Sequence, residues 1–512
     1  MRLRTLPTPH PRVLYATILL LSLTEFLQSG MTAFAAAPIM GELGMGPEQF
    51  SFVAAVYASV AIVTISMHRW VVEHIGGRRF VQACAALTLA GAVLCASSHT
   101  FAGFIAGRVV MAIGGGSFFT ACRMLVHHEL AGSQRFNGIR CIASGLAIGI
   151  AAAPWLAATA VSSGNWSAIY WGVAALAGAI FVFAGVSVPK APPQNDAPTV
   201  MHAWPQVLLF TASFGLLYAL QRFCYDFYGD VLPLALTCAA AILGLALYIG
   251  VQYRTGRPLL RVREMLNARY GVGLALFFFA YLMLGANNVV VPAMLMGSLG
   301  LAWESVGHVE AIGLCAALLT FIVLARLQPR WPTPRKYLAT GFAALTLFGV
   351  LLARIDSSAS AWAHVLPALA LNSIFLLTVL PVTAMHTFRA VEHDEALFSN
   401  AQQLKNMMAQ AGIAMGITLA TIGQQWRTAM HYSTLAESLN AYNPTFEATL
   451  LQLQQTFEGT LGPAEAATAA LARVAQITTQ QAAMLANIDH FSAIAALGVL
   501  GIAATWRQRV FR

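Results

Sequence analysis

Charged side chains are scarce in this sequence. Only 10% of its 512 residues are Asp, Glu, Lys or Arg, whereas 58% are apolar. A soluble globular protein has about 25% charged residues, so this chain cannot cover itself with a water-facing surface and most of its exterior must face lipid. The scarcity excludes a soluble enzyme, a secreted disulfide scaffold and a disordered regulator.

Several chemical motifs are missing as well. The sequence has no HExxH metal site, no GxxxxGK[ST] phosphate loop and no GxSxG nucleophile motif, so we expect neither an enzyme nor a bound cofactor or metal. Its 7 cysteines show no ligand-like spacing, which favours inert core residues. Without a nucleotide motif, active transport must draw on an ion gradient, such as that of protons, or on a partner subunit.

Long apolar runs are what the sequence has instead. About fourteen of them approach the 20 or so residues that a membrane-spanning helix needs. We therefore predict an all-α membrane protein with about 14 transmembrane helices in the lipid bilayer. The predicted spans lie near residues 13–36, 50–67, 80–98, 102–125, 139–161, 168–188, 204–222, 231–251, 270–296, 305–326, 337–354, 362–387, 399–424 and 489–506.

The 29 Lys and Arg residues are unevenly placed. They outnumber the 20 Asp and Glu residues but form no basic stripe, so no nucleic-acid partner is expected. If the N-terminus is cytoplasmic, most of them, including Arg123 and Lys405, fall at cytoplasmic span ends. The positive-inside rule predicts this bias for an even number of spans with both termini in the cytoplasm.

Two stretches recur at nearly one offset and indicate an internal repeat. Residues 30–40 at the end of the first span are similar to 285–294 in the ninth, and 78–80 are similar to 335–337. Repeated halves with a substrate site between them are a transporter architecture. The predicted domains are a six-helix bundle at 1–190, an inserted helix pair at 191–269 and a second six-helix bundle at 270–512.

Residues 427–488 lie outside the predicted spans, on the periplasmic side. Their Ala-, Gln- and Leu-rich sequence predicts helices, with breaks at Asn443-Pro444 and between Gly459 and Pro463. Apolar residues recur there at helical spacing. Two interpretations stay open, an amphipathic cap on the bundle and a docking surface for a partner protein.

A polar stripe runs along the first span. Gln28, Ser29 and Thr32 follow Glu25 at helical spacing, which places all four on one face. A charge at mid-membrane costs at least about 2.5–3.5 kcal/mol, so we expect this face to line a substrate cavity. The alternative is a seam of hydrogen bonds between helices.

Arg108 enters the membrane from the opposite side and reaches about the depth of Glu25. We predict that the two residues interact, directly or through water, and that proton uptake by Glu25 weakens the contact. The alternative is a static ion pair that fixes packing. Further cavity residues are predicted from both halves: Tyr57, Tyr281, Asn287, Asn288 and Asn372.

A cytoplasmic loop and the fourth span carry two recognisable motifs. Residues 69–79 read RWVVEHIGGRR and residues 108–116 read RVVMAIGGG. They resemble the GxxxDRxGRR and RxxQGxGGG signatures of the major facilitator superfamily. In the first motif Arg replaces the first Gly, Glu replaces Asp and His replaces Arg, and in the second motif Met replaces Gln. The resemblance implies a cytoplasmic gating motif formed by Glu73, Gly76, Arg78 and Arg79.

The fifth and thirteenth spans extend this resemblance. The stretch from Gly149 to Pro154, one helical turn after Gly145, is similar to the antiporter motif GxxxGP, with Ala153 for its second Gly. Lys405-Asn406 followed by Gly412 is similar to an RN…G segment. Over nearly the whole chain the pattern resembles the fourteen-span drug:proton antiporters of the EmrB/QacA type.

The family resemblance implies a function. It implies multidrug-type, proton-coupled efflux of hydrophobic or amphipathic small molecules across a bacterial inner membrane by alternating access, with Arg108 associated with proton coupling. It also implies a periplasmic adaptor and an outer-membrane channel as partners, which segment 427–488 permits. Arg108 itself favours a weakly acidic substrate over a dication. Two alternatives stay open, a proton-coupled importer and a membrane sensor or scaffold without transport.

Overall fold

The computed structural model describes residues 11–190, 199–225, 230–265, 267–328, 330–356, 359–389, 391, 394–440 and 442–511. Helices make up nearly all of this described part, which contains no β-strand. In lipid every backbone N–H and C=O must be satisfied within the protein, and a helix does this inside one segment. The all-α membrane fold predicted from the apolar runs is confirmed.

Eighteen α-helices follow one another along the described chain. They are α1 (Pro11–Phe34), α2 (Ala36–Glu42), α3 (Pro47–Ile75), α4 (Gly77–Ala96), α5 (Phe101–Gly115), α6 (Phe118–Glu129), α7 (Ser133–Ser162), α8 (Ala168–Ser187), α9 (Ala203–Tyr225), α10 (Val231–Arg254), α11 (Val262–Met265), α12 (Ala268–Ala293), α13 (Trp303–Leu327), α14 (Pro334–Leu352), α15 (Leu366–Phe388), α16 (Glu395–Ala436), α17 (Pro444–Leu461) and α18 (Pro463–Arg507). Two π-helical turns, Met294–Ser298 and Ala361–Val365, extend α12 and precede α15.

Thirteen segments of the described chain are long and apolar enough to cross a membrane. One of the fourteen predicted spans, 399–424, is not among them, because it lies in α16 and that helix is too polar by composition. Its 42 residues still pack along α12, α3 and α18 inside the bundle. The polar residues of α16 therefore face protein, where hydrogen-bonding groups are tolerated, rather than lipid.

Close helix pairs at glycines organise both halves. In the first half α7 packs against α1, where a Cβ on Gly149 would lie 2.7 Å from the carbonyl oxygen of Leu23. In the second half α16 packs against α12, and a Cβ on Gly412 would lie 2.9 Å from the carbonyl oxygen of Phe278. The same small-residue contact thus occurs in both helix pairs.

The two halves meet along two seams. One joins α7 to α13, where a Cβ on Gly307 would lie 2.9 Å from the carbonyl oxygen of Pro154. The other joins α3 to α16, where Gln403 Nε2 donates to the carbonyl oxygen of Ile65 at 3.2 Å. The cavity described below is lined in part by both helices of the second seam.

The inserted helix pair, α9 and α10, lies against the α3–α16 seam. Helix α9 contacts both seam helices and is joined to α3 by hydrogen bonds from Ser66 Oγ to Gln206 Oε1 at 2.7 Å and from Gln221 Nε2 to the carbonyl oxygen of Ser51 at 2.6 Å. Helix α10 packs mainly on α9 and leaves large apolar side chains exposed, such as Leu243. That surface is the one expected to face lipid. The predicted domain boundary at 190/191 borders residues outside the described part.

The segment after the thirteenth predicted span is helical, as predicted. Helix α16 runs on to Ala436, α17 begins at Pro444 with Asn443 as its N-cap, and α18 begins at Pro463 after Gly462, whose φ is +78°. The Asn side-chain cap and the positive φ of glycine explain why the breaks fall at these places. Helix α17 packs back on α18.

The glycine contacts give a stability prediction. We expect Gly149→Ala to lower the free energy of unfolding by about 1–3 kcal/mol, because the new methyl group would overlap the α1 backbone. The matched control is Gly250→Ala in α10, where no atom lies near the new Cβ and the better helix propensity of Ala should raise stability by up to about 1 kcal/mol. Midpoints of thermal unfolding in one detergent compare the two. An equal rise for both variants would contradict the close packing.

Candidate functional site

A narrow cavity lies between α1, α3, α6, α12 and α16, where the two halves of the chain face each other. Its volume is about 30 Å³, room for one or two water molecules and too little for a drug-sized compound. The cavity is therefore too small for a substrate in this structure, and a substrate site at this place requires the halves to separate. The lining residues are Glu25, Phe26, Ser29, Tyr57, Ile65, Gly116, Phe119, Tyr281, Asn406, Ala409, Gln410 and Ile413.

Glu25 reaches across from the first half to the second. Its Oε1 accepts a hydrogen bond from Gln410 Nε2 at 2.8 Å, and its buried Oε2 has no hydrogen-bond partner. The side chain is 8% exposed and lines the cavity. The direct contact with Arg108 that the sequence suggested as one alternative is not formed, and Glu25 bonds Gln410 instead. A link through water stays a prediction.

Arg108 lies over an aromatic ring rather than beside a carboxylate. Its guanidinium carbon is 4.2 Å from the ring centroid of Tyr57, and its buried Nε and Nη1 have no hydrogen-bond partner. Gln28 Nε2 donates to the Tyr57 hydroxyl at 2.6 Å. Tyr57 thus connects the Arg108 cation to the cavity that Glu25 lines.

Two interpretations of the polar stripe on α1 were left open by the sequence, a cavity wall and a seam between helices, and Ser29 and Thr32 support one each. Ser29 lines the cavity beside Glu25. Thr32 instead makes a hydrogen bond of 3.2 Å with the Tyr170 hydroxyl of α8, within the first half. The stripe is therefore a cavity wall at Glu25 and Ser29 and a helix–helix seam at Thr32.

Of the polar residues in the second half that were predicted to line the cavity, some do so and others do not. Tyr281 lines the cavity. Asn287 Nδ2 donates to Asn372 Oδ1 at 3.0 Å, so these two amides join α12 to α15 away from the cavity lining. Asn288 is half-buried and does not line the cavity.

A row of side-chain amides on α16, which sequence reasoning missed, joins the halves. Gln403, Asn406 and Gln410 lie on one face at helical spacing, and each bonds a different helix of the first half. Gln403 Nε2 donates to the carbonyl oxygen of Ile65 in α3, Asn406 Nδ2 to Thr120 Oγ1 in α6 at 2.6 Å, and Gln410 to Glu25 in α1. We call these three residues the amide row. Their spacing of three and four residues in a predicted span was the available signal.

Two cations that the sequence placed at cytoplasmic span ends lie beside a ring that lines the cavity. Lys405 is 1% exposed, donates from Nζ to Asn406 Oδ1 at 2.6 Å, and lies 4.3 Å from the ring centroid of Phe119. The Arg123 guanidinium carbon is 5.1 Å from the centroid of the same ring, and its buried Nε has no hydrogen-bond partner. Packing between the halves buries Lys405 and leaves Arg123 half-buried.

A second buried carboxylate was also missed. Glu310 of α13 is 5% exposed, and its buried Oε1 has no hydrogen-bond partner. It lies between Gly307, which faces α7, and Gly313, which faces α15. In the sequence a single Glu inside an apolar run was the signal.

The predicted gating motif is tied to the link that enters the inserted pair. Glu73 Oε1 accepts from Arg69 Nε at 2.7 Å, and Glu73 Oε2 accepts from the backbone N and the hydroxyl of Thr199 at 2.8 and 2.7 Å. Gly76, with φ of +83°, makes the sharp turn from α3 to α4. Arg78 is half-buried and Arg79 exposed at the start of α4, and their gating role stays a prediction.

The antiporter-like motif of α7 faces both neighbours of that helix. A Cβ on Gly145 would lie 2.5 Å from the carbonyl oxygen of Leu19, one turn from the Gly149 contact with α1. Pro154 turns its carbonyl oxygen toward Gly307 of α13. The motif thus packs α7 against both halves of the molecule.

Comparison with known proteins agrees with this arrangement. The family model "Major Facilitator Superfamily" matches residues 18–421. The chain belongs to the Major Facilitator Superfamily. Members of this superfamily are transporters, so the chain is a multi-pass membrane transport protein rather than an enzyme.

Relatives within the superfamily are distant. "Lincomycin resistance protein LmrB" of Listeria innocua is 24% identical over 355 residues, which cover 66% of this chain and 71% of that protein. "Uncharacterized MFS-type transporter YhcA" of Bacillus subtilis is 20% identical over 412 residues, 80% of this chain and 75% of that one. Of the solved structures, the peptide-transporter-family protein PepTSo has a TM-score of 0.57 at 14% identity, covering 98% of this chain and 99% of PepTSo. The nucleoside transporter NupG has a TM-score of 0.53 at 13% identity, covering 96% of this chain and all of NupG. These structures share the fold.

The buried carboxylate of α13 gives a second stability prediction. An ionised, unpartnered carboxylate inside a protein is costly, so we expect Glu310→Gln to raise the midpoint of thermal unfolding by about 2 °C or more in alkaline buffer. In acid, where both side chains are neutral, wild type and variant should agree. Unfolding scans in detergent over a range of pH measure the difference. An alkaline midpoint below that of wild type would show that Glu310 has a stabilising partner.

Proposed function

We propose that this chain is a proton-driven exporter of hydrophobic or amphipathic small molecules, of the fourteen-span drug:proton antiporter type. The observation that carries the proposal is the position of Glu25. A titratable carboxylate of the first half lies in the cavity and holds a hydrogen bond to Gln410 of the second half. A proton bound to the Glu25 carboxylate therefore acts directly on the seam between the halves.

Proton uptake by Glu25 changes the strength of that bond. A hydrogen bond to an ionised carboxylate is roughly twice as strong as one between neutral groups. When Glu25 takes up a proton, the bond from Gln410 weakens, and the remaining bonds of the amide row then hold the seam alone. The halves then separate more easily on the side that the amide row closes. The cavity opens to that side, as alternating access requires.

The direction and site of transport follow the resemblance and the charge bias. We place the protein in a bacterial inner membrane with both termini cytoplasmic, so that the amide row closes the cytoplasmic half of the cavity. Protons entering from the periplasm drive export, and no cofactor is required. The name of the relative LmrB, a lincomycin resistance protein, supports export of small toxic compounds.

The segment 427–488 is the proposed contact for a periplasmic adaptor, which would pass substrate to an outer-membrane channel. Helix α17 and the first turns of α18 hold apolar side chains at the surface, such as Leu451 of α17. Tyr442, just before α17, is also exposed. A chain lacking α17 should still transport substrate in vesicles but confer no resistance in a double-membrane cell. Loss of transport in vesicles would assign the segment to the transport cycle instead.

The proposal predicts that Glu25→Gln abolishes coupling without abolishing binding. The assay adds anionic, cationic and neutral lipophilic probes, one at a time, to inverted vesicles that have an acidic lumen. Vesicles with the wild-type protein should release protons from the lumen in response to at least one of these probes. We expect Glu25→Gln to reduce this release at least tenfold, because the variant cannot exchange a proton at the cavity. Affinity for the active probe should weaken by no more than about twofold.

The matched control is Glu447→Gln, an exposed carboxylate on α17. It should release protons as wild type does. Unchanged release in Glu25→Gln would remove Glu25 from the mechanism. Probe moving in the opposite direction would make the protein an importer, and the absence of gradient-dependent flux of every probe would favour a sensor or scaffold.

A further inference from the structure

The charged side chains around the cavity do not balance. Three cations, Arg108, Arg123 and Lys405, lie over aromatic rings there, and the carboxylate that lines the cavity is Glu25. Within the described part of the chain none of these four side chains takes part in an ion pair, and Glu25 is bonded to the neutral amide of Gln410. Even with Glu25 ionised, the cations remain in excess.

The rings that the cations contact are cavity walls. Lys405 Nζ lies 4.3 Å from the centroid of Phe119 and 5.3 Å from that of Tyr281, and Arg108 lies over Tyr57. All three rings line the cavity. Each cation is therefore one aromatic ring away from the space where a ligand would enter.

These aromatic contacts compensate the cations only in part. A cation–π contact contributes about 0.5–2 kcal/mol, whereas burying an unpaired ion costs several kcal/mol. Lys405 has three N–H donors and uses one, for Asn406 Oδ1, while two nitrogens of Arg108 and one of Arg123 have no acceptor. The site thus has unused donors and more positive charge than the one carboxylate that lines the cavity can balance.

Lys405 and Arg123 are the pair best placed to hold one. Both lie over Phe119, and the two ring distances keep the charges within about 10 Å of each other. Next to them, Asn406 joins α16 to Thr120 of α6, so a ligand that binds here contacts both halves. The rings of Phe119, Phe277 and Tyr281 around Lys405 offer an apolar wall for the rest of such a molecule.

We infer that the substrate is a lipophilic organic anion whose acidic head group binds between Lys405 and Arg123, with its apolar body against Phe119 and Tyr281. This inference rests on the proposed function and names its substrate class. The anion enters when the halves separate, because the small cavity holds only water-sized groups.

The test is binding of charged probes to the purified full chain in detergent. A naphthoate-type aryl carboxylate should bind, and the lipophilic cation tetraphenylphosphonium should bind at least tenfold more weakly. Lys405→Gln should weaken carboxylate binding at least tenfold, whereas Lys405→Arg, which keeps the charge, should stay within about threefold of wild type. Glu25→Gln, which leaves the three cations in place, should bind the carboxylate within about twofold of wild type.

Arg473→Gln, which removes an exposed cation of α18, is the control and should bind as wild type does. If Lys405→Gln does not fold, Arg123→Gln replaces it with the same expectation. Equal carboxylate affinity in the folded charge-removal variant, or preference for tetraphenylphosphonium, overturns the inference. Proton-coupled flux of the cation alone would support the proposed function and refute the anion site. Carboxylate binding without proton-coupled flux would support the anion site and refute the proposed function.

Discussion

The hydrogen bonds of the amide row on α16 are the interaction on which the arrangement of this transporter depends. Gln403, Asn406 and Gln410 each bond a different helix of the first half. A helix with so many polar groups is not stable in lipid by itself, because each unsatisfied group there costs several kcal/mol. Its stability comes from contact with the other half. The polarity that makes α16 a poor span makes it an effective seam.

This seam explains why the cavity is small and where its charges lie. Closing the halves brings Glu25 to Gln410 and leaves room for one or two water molecules. It also buries Lys405, whose ammonium group then has one amide acceptor and three rings around it. A group that gains or loses charge here changes the balance of a site where few counter-charges are available. Proton coupling and substrate charge therefore depend on the same cluster of side chains.

Much of the fold could be predicted from the sequence, because lipid imposes simple rules. Apolar runs predict the helices, and the Asn443-Pro444 and Gly462 breaks bound α17 as expected from capping and backbone conformation. Glu25 and Ser29 could be placed on the cavity because a deep charge requires a polar environment. What could not be predicted was pairing across the halves. Lys405 and Arg123 were assigned by distance along a helix, while their burial depends on which helices pack together.

The most direct test of the central claim is the accessibility of the cavity when the amide row is removed. In a cysteine-free background with Ser29→Cys, a water-soluble thiol reagent is applied to inverted vesicles, and the labelling rate is measured. Three hydrogen bonds of about 1 kcal/mol each hold the seam. Replacing Gln403, Asn406 and Gln410 by Leu should therefore raise the rate at least tenfold. An unchanged rate in the folded triple variant would contradict the claim that the amide row closes the cavity.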